Sequence, residues 1–198
     1  SSDGVGVTMA DAASVTTLGG IFRANATIEY FNELQYFTGI TTINGTPSSN
    51  SGAFENCTGL KEVTLSNNVT TINPRAFRAC SSLTTCILPS SITSIGQDAF
   101  NGCANLESEV NCPNLNTIGQ YAFNGTKISK IVSLGNVTTI PTYTFNNCKY
   151  LTQITGTNSV ATMTGDYNFY SCGSEVNGNI ELSFPSLTSI AGGNAFRG

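Results

Sequence analysis

A short phrase built on phenylalanine returns along this chain at an almost fixed interval. It reads AFENC at Ala53, AFRAC at Ala76, AFNGC at Ala99, AFNGT at Ala122, TFNNC at Thr144, NFYSC at Asn168 and AFRG at Ala195. The phenylalanines, Phe54, Phe77, Phe100, Phe123, Phe145, Phe169 and Phe196, are 23, 23, 23, 22, 24 and 27 residues apart. A unit of that length cannot bury its own apolar side chains. Copies must stack and bury them against one another, so the pattern predicts a repeat solenoid of about seven rungs.

Between the phrases lies a second pattern. Leu60, Val63, Leu65, Val69 and Ile72 are spaced 3, 2, 4 and 3 residues apart, and so are Leu83, Cys86, Leu88, Ile92 and Ile95. Phe31, Leu34, Tyr36, Ile40 and Ile43 fit the same spacing, as do Ile128, Ile131, Ser133, Val137 and Ile140, and Leu151, Ile154, Gly156, Val160 and Met163. One copy shifts by a residue, with Val110 and Cys112 before Pro113 as Cys86 and Leu88 stand before Pro89. The last copy reads Leu182, Phe184, Pro185, Leu187 and Ile190. The V-x-L pair alternates with period two, which predicts a short strand with one buried face. Pro89, Pro113 and Pro185 would end it, because proline cannot donate to a ladder. The V-T-T-I or I-T-S-I-G segment predicts a second extended piece. The AFxxC phrase predicts a helical or 3-10 turn with Phe plugging the interior.

Residues 1–26 stand outside this pattern and are expected to form an N-terminal cap, with the solenoid occupying 27–198. Thr8-Met9-Ala10-Asp11 has the form of a capping box and predicts a short helix near Met9 to Val15. Asp3-Gly4-Val5-Gly6 is too short and too apolar for a calcium loop. Polar insertions at Thr46–Ser51 and Gly173–Gly178 are expected to be surface loops. The chain stops just after a new AF phrase, so further repeats or a C-terminal cap are expected beyond Gly198.

Composition narrows the chemistry. Only 10% of residues are charged and the net charge is −4. With no basic cluster, nucleic acid is not an expected partner. No run of 18 apolar residues is present, so no membrane insertion is expected of this fragment. Histidine is absent, which removes Ser-His-Asp and Cys-His catalysis and imidazole-bound metal. Tryptophan, a common sugar platform, is absent too. The 7 cysteines are odd in number and contain no CxxC, against both a zinc site and a disulfide framework. Cys57, Cys80, Cys103, Cys148 and Cys172 each follow the repeat phenylalanine by three residues, with Thr126 in the same place in one copy. They are expected to stack as small, buried, reduced thiols. No enzyme activity, cofactor or metal is expected, and the chain is expected to be a monomer.

These residues carry a family resemblance. Leu83 to Cys103, LTTCILPSSITSIGQDAFNGC, follows the consensus L-x-x-V-x-L-P-x-x-V-T-x-I-G-x-x-A-F-x-x-C almost throughout. It resembles the BspA-like (Treponema-type) leucine-rich repeat. The resemblance implies a right-handed solenoid of short parallel strands in a bacterial protein that is secreted or held at the cell surface. It implies adhesion or protein binding and carries over no catalytic residue.

The candidate site is the outer face of the V-x-L strands, where solenoids offer parallel columns of side chains. One column reads Glu33, Glu62, Thr85, Glu109, Lys130, Gln153 and Glu181; the next reads Gln35, Thr64, Ile87, Asn111, Val132, Thr155 and Ser183. Glu33, Glu62, Glu109 and Glu181 make the first acidic. Ile87, Val132 and Leu134 are expected to form an apolar strip. The expected partner is an extracellular protein, of the host or of bacteria, with basic and apolar character. Two other roles stay open: a passive spacer presenting another domain, and a glycan-binding or glycan-processing accessory. The loops near Ser48 and Glu175 are the alternative surface.

Overall fold

The computed structural model describes residues 8–45, 51–177 and 180–197. The calcium-loop stretch at Asp3 and the loop around Ser48 lie outside them. Among the described residues fourteen short strands, numbered in chain order, fall into two series. The V-x-L segments form β1 (Tyr30–Phe31), β3 (Glu62–Thr64), β5 (Thr85–Ile87), β7 (Val110–Asn111), β9 (Lys130–Ser133), β11 (Gln153–Ile154) and β13 (Glu181–Leu182). The T-T-I segments form β2 (Thr42–Ile43), β4 (Thr71–Ile72), β6 (Ser94–Ile95), β8 (Thr117–Ile118), β10 (Thr139–Ile140), β12 (Thr162–Thr164) and β14 (Ser189–Ala191). Every pairing is parallel and joins a strand to its equivalent one repeat on, as Val63 with Cys86 and Ile72 with Ile95. This is the solenoid that the repeat demands. Each series is split into two sheets: β5 and β7 do not pair, nor do β8 and β10.

The AFxxC phrase forms the turn between rungs. In it Arg75, Phe77 and Ala79 donate their backbone N–H groups to the carbonyls of Gln97, Ala99 and Asn101 in the next rung, at 2.9, 2.8 and 2.8 Å. Pointing alternate N–H groups the same way around a tight bend requires left-handed backbone, seen at Arg75 (φ 61°) and Ala79 (φ 59°). Gly102 and Gly125 take the Ala79 place in the next two rungs, where that conformation costs glycine little. Gly96 serves a different need: a Cβ there would lie 2.5 Å from the backbone nitrogen of Pro74, so only glycine lets adjacent rungs approach.

Inside the turns the rings form one column. Phe22, Phe54, Phe77, Phe100, Phe123, Phe145, Phe169 and Phe196 stack at successive centroid distances of 5.3, 5.1, 5.2, 5.2, 5.6, 5.2 and 5.4 Å. Beside it runs a column of thiols. Cys57, Cys80, Cys103, Cys148 and Cys172 each donate S–H to the carbonyl of the phenylalanine one rung back, at 2.8 to 3.3 Å. A cysteine here is therefore a small apolar filler and a weak donor at once. All seven are free, and Cys172 alone is less than fully buried.

Helix α1 (Met9–Ser14) carries the expected capping box. Asp11 N–H donates to Thr8 Oγ1 at 3.1 Å, and Thr8 N–H donates to Asp11 Oδ2 at 2.9 Å. Yet the segment to residue 26 is more than a helical cap. Ile21-Phe22-Arg23-Ala24-Asn25 repeats Ala76-Phe77-Arg78-Ala79-Cys80 in outline. Ala24 has φ 57° and its N–H donates to Glu55 O at 2.8 Å, as in every later turn.

Three rungs depart from the spacing read off the sequence. In the first, Tyr30 pairs with Glu62 and Phe31 with Val63, so Phe31 fills the valine place. A 3-10 turn, Asn32–Tyr36, comes directly after it, and Tyr36 is 44% exposed rather than in the core. In the fifth, Val110 pairs with Ile131 but Asn111 with Ser133. The extra residue, Val132, forms a bulge, which moves the next residues on by one place and carries Leu134 into the core instead of Ser133. In the sixth, Gly156 adopts φ 60° and Thr157 takes the buried place, donating its hydroxyl to the Ser183 carbonyl.

Candidate functional site

The outer face of the V-x-L strands is where the sequence places a site. Its first column stands with Tyr30 in the place of Glu33; in the second, Gln35 lies on the 3-10 turn and Val132 in the bulge, so Asn111 pairs with Ser133. Tyr30, Glu62 and Thr85 are in register across β1, β3 and β5, and Lys130, Gln153 and Glu181 across β9, β11 and β13. Glu33 is not among them. It sits on the 3-10 turn, because Leu34 comes three residues after Phe31 where the repeat allows two. The acids that remain are tied to an adjacent rung. Asn32 Nδ2 donates to Glu62 Oε1 at 3.1 Å, Gln153 Nε2 donates to Glu181 Oε2 at 2.8 Å, and Lys130 Nζ lies 3.5 Å from Glu109 Oε1.

The face is interrupted between the third and fourth rungs. Leu83 and Cys86 are three residues apart, but the matching Leu106 and Val110 are four apart. The added residue displaces the chain, and β7 cannot pair with β5. The Ser108 hydroxyl replaces the missing carbonyl, accepting the Cys86 N–H at 3.0 Å. What opens is a cleft of about 340 Å³, lined by Ile87, Leu88, Ser108, Glu109, Asn111 and Pro113. Ile87 is 65% exposed at its edge, an apolar side chain facing outward between polar neighbours.

Of the residues singled out in the sequence, Ile87 and Glu109 meet at this cleft, and Glu62 lies in register with Thr85 beside it. Val132 is half-buried in the bulge and offers only part of a side chain. Leu134 is corrected outright: it is 0% exposed and belongs to the core. Glu181 is on the last rung, away from the cleft, and Glu33 lines a separate cavity near α1. Ser108 and Pro113 were missed. The signal was the four-residue step from Leu106 to Val110, which marks a place where the regular stacking of strands is disturbed.

Next to the cleft residues lie two buried thiols, Cys86 and Cys112. Burial pushes the Cys112 thiol up to about 12, and burial together with neighbouring Cys80 and Cys112 pushes Cys86 well above the ordinary thiol range. Among the described residues no group of three or more Cys, Asp or Glu is placed to hold a metal ion. Nor, among them, is any helix long and apolar enough to cross a membrane. The arrangement offers a strand face with a notch lined by the apolar Ile87, Leu88 and Pro113 and by one acid, Glu109.

Such a stack of parallel strands, closed by ring-filled turns and notched on one face, defines a leucine-rich-repeat solenoid. The family model described as the BspA type leucine rich repeat region matches residues 27–152 and 116–198, in 6 copies. The chain belongs to that family. Among solved structures it is similar to a leucine-rich repeat protein of Treponema pallidum, at 23% identity and a TM-score of 0.56, over 72% of this chain and 68% of that one. It is also similar to one from Bacteroides ovatus, at 24% identity and a TM-score of 0.52, over 77% of this chain and 43% of that one. At these identities the likeness is one of fold. No curated protein matches the chain.

Proposed function

We propose that this chain is a non-catalytic binding module of a secreted or surface-held bacterial protein, and that its docking face is the outer face of the V-x-L strands. The observation that carries the reading is Ile87. It is 65% exposed and lines a cleft with Leu88 and Pro113. The fold does not need an apolar residue there: its equivalents Thr64 and Asn111 are polar. A single exposed apolar side chain is ordinary, but Ile87 lines a concave cleft together with Leu88 and Pro113, and an apolar groove rimmed by polar groups supports an interaction site. Glu109, which lines the same cleft, favours a protein partner presenting an apolar residue next to a basic one.

The test is a binding assay of the intact module against immobilised extracellular-matrix and bacterial surface proteins. Ile87→Lys combined with Glu109→Lys should abolish capture of any partner found. Thr71→Lys on the T-T-I face should leave it intact. Equal binding by both variants would move the site elsewhere. Absence of any partner across the panel would favour a spacer that presents another domain.

A further inference from the structure

A second concave site lies where α1 meets the first rung. Phe31, Tyr36 and Phe37 form an aromatic wall, Met9 and Ala12 close it from the helix, and Glu33 lines it beside them; the cavity measures about 240 Å³. The Phe31 and Phe37 rings meet edge to face at 6.0 Å. Two local features of the sequence create it. The 3-10 turn Asn32–Tyr36 throws Glu33 and Tyr36 out of the repeat register, and the capping box at Thr8 sets the helix over them. Neither is required by the stacking of later rungs. Met9 is 61% exposed and Tyr36 44%, so both are accessible at its opening.

We propose that this cavity binds a quaternary ammonium group. A carboxylate beside aromatic rings is the combination that attracts an organic cation. The chain already uses it on its own surface: Lys61 Nζ lies 5.7 Å from the Tyr30 ring centre and 2.8 Å from Glu29 Oε2. In the cavity Glu33 supplies the carboxylate and Phe31, Tyr36 and Phe37 the rings, and among the described residues no lysine or arginine lines it. The choice of a quaternary over a primary ammonium rests on hydrogen bonding. A primary ammonium brings three N–H donors that all need acceptors. The Thr8 hydroxyl is already engaged with Asp11 at 2.7 Å, which leaves the Glu33 carboxylate and the Tyr36 phenol. A trimethylammonium has no N–H to satisfy. It needs apolar contact on most sides, which Met9, Ala12 and the rings provide, and one counter-charge.

Choline, its uncharged carbon isostere neohexyl alcohol, and n-butylammonium separate the alternatives when titrated into isotope-labelled protein by NMR. Choline should shift the amide signals of Met9, Ala12, Tyr36 and Phe37. The alcohol should bind about tenfold more weakly, the scale of a cation–π contact plus one counter-charge. Butylammonium should also bind more weakly than choline. Glu33→Gln and Tyr36→Ala should each weaken choline severalfold without moving the melting temperature, since both side chains are exposed. Equal binding of choline and the alcohol would reduce the site to an apolar hole and overturn the proposal. Tighter binding of butylammonium would make it an amine site instead, and an absence of shifts with choline would refute it. The strand-face reading is independent, because Ile87→Lys should leave the choline shifts unchanged.

Discussion

Replacing Phe100 by alanine removes a ring held between Phe77 and Phe123 at 5.2 Å on either side. The side chain is 0% exposed and its neighbours are pinned by backbone bonds to the rungs above and below, so the hole cannot collapse. The expected cost is about 3–5 kcal/mol, read as a fall in the denaturation midpoint. The thiols make a second residue-scale expectation. Burial, with Cys80 as the next cause, pushes the Cys57 thiol up to about 11, and burial raises Cys86 and Cys112 as well. At about pH 8 their thiolate fraction is small and reagent cannot reach them. A disulfide-exchange reagent should therefore modify the folded protein slowly, the half-buried Cys172 first, and all seven thiols rapidly once it is unfolded. Glu55 gives a pH dependence. Burial works to raise its pKa, but hydrogen bonds from the Arg78 and Arg23 guanidiniums, at 3.1 and 3.2 Å, more than offset this and hold it below its ordinary value of 4.5. A carboxylate with a lowered folded pKa contributes stability above its unfolded value, lost as pH falls through the folded one. The melting temperature should drop on acidification below pH 4.5, and Glu55→Gln should flatten that slope.

At the scale of the element, the AFxxC turn is the piece whose backbone is most constrained. Each turn uses a left-handed residue just before the cysteine position: Ala24, Asn56, Ala79, Gly102, Gly125, Asn147 and Ser171. Alanine is a poor occupant of that conformation and glycine a good one. Ala79→Gly should therefore stabilise the protein, by about 1 kcal/mol before the glycine's larger unfolded-state entropy is subtracted. A lowered denaturation midpoint would mean that the Ala79 methyl packs more than its position suggests. The same element explains the sequence signal. Three carbonyls of one turn receive N–H groups from the turn before, so the phrase must keep its length even where the strands around it gain or lose a residue. The strands tolerate such changes by a bulge at Val132 or by parting at Ser108.

Over the whole molecule the two sheet breaks do not coincide. The V-x-L series parts between the third and fourth rungs, where β6 and β8 still pair. The T-T-I series parts between the fourth and fifth, where β7 and β9 still pair. The phenylalanine column runs through both. No level of the stack is thus cut through, and nearest-neighbour coupling is preserved along its length. The described rungs should unfold in one transition, with calorimetric and van't Hoff enthalpies equal. Two resolved transitions would show that a break acts as a boundary.

The repeat by itself determined the solenoid, the parallel pairing, the buried column of phenylalanines and the thiols beside it, because each is a consequence of apolar positions recurring at one period. It also marked the V-x-L strands as the outer face, and Ile87 and Glu109 as members of it. Only the tertiary structure decided where that period fails. Leu134 is buried because Val132 bulges, and Glu33 leaves the strand face because a 3-10 turn intrudes after Phe31. The cleft exists because one added residue before Val110 is absorbed by parting two strands. A one-residue insertion can bulge, turn or open a gap at similar local cost, and the spacing is the same in each case. Which outcome is taken depends on contacts with the rungs on either side, and those exist only once the chain is stacked.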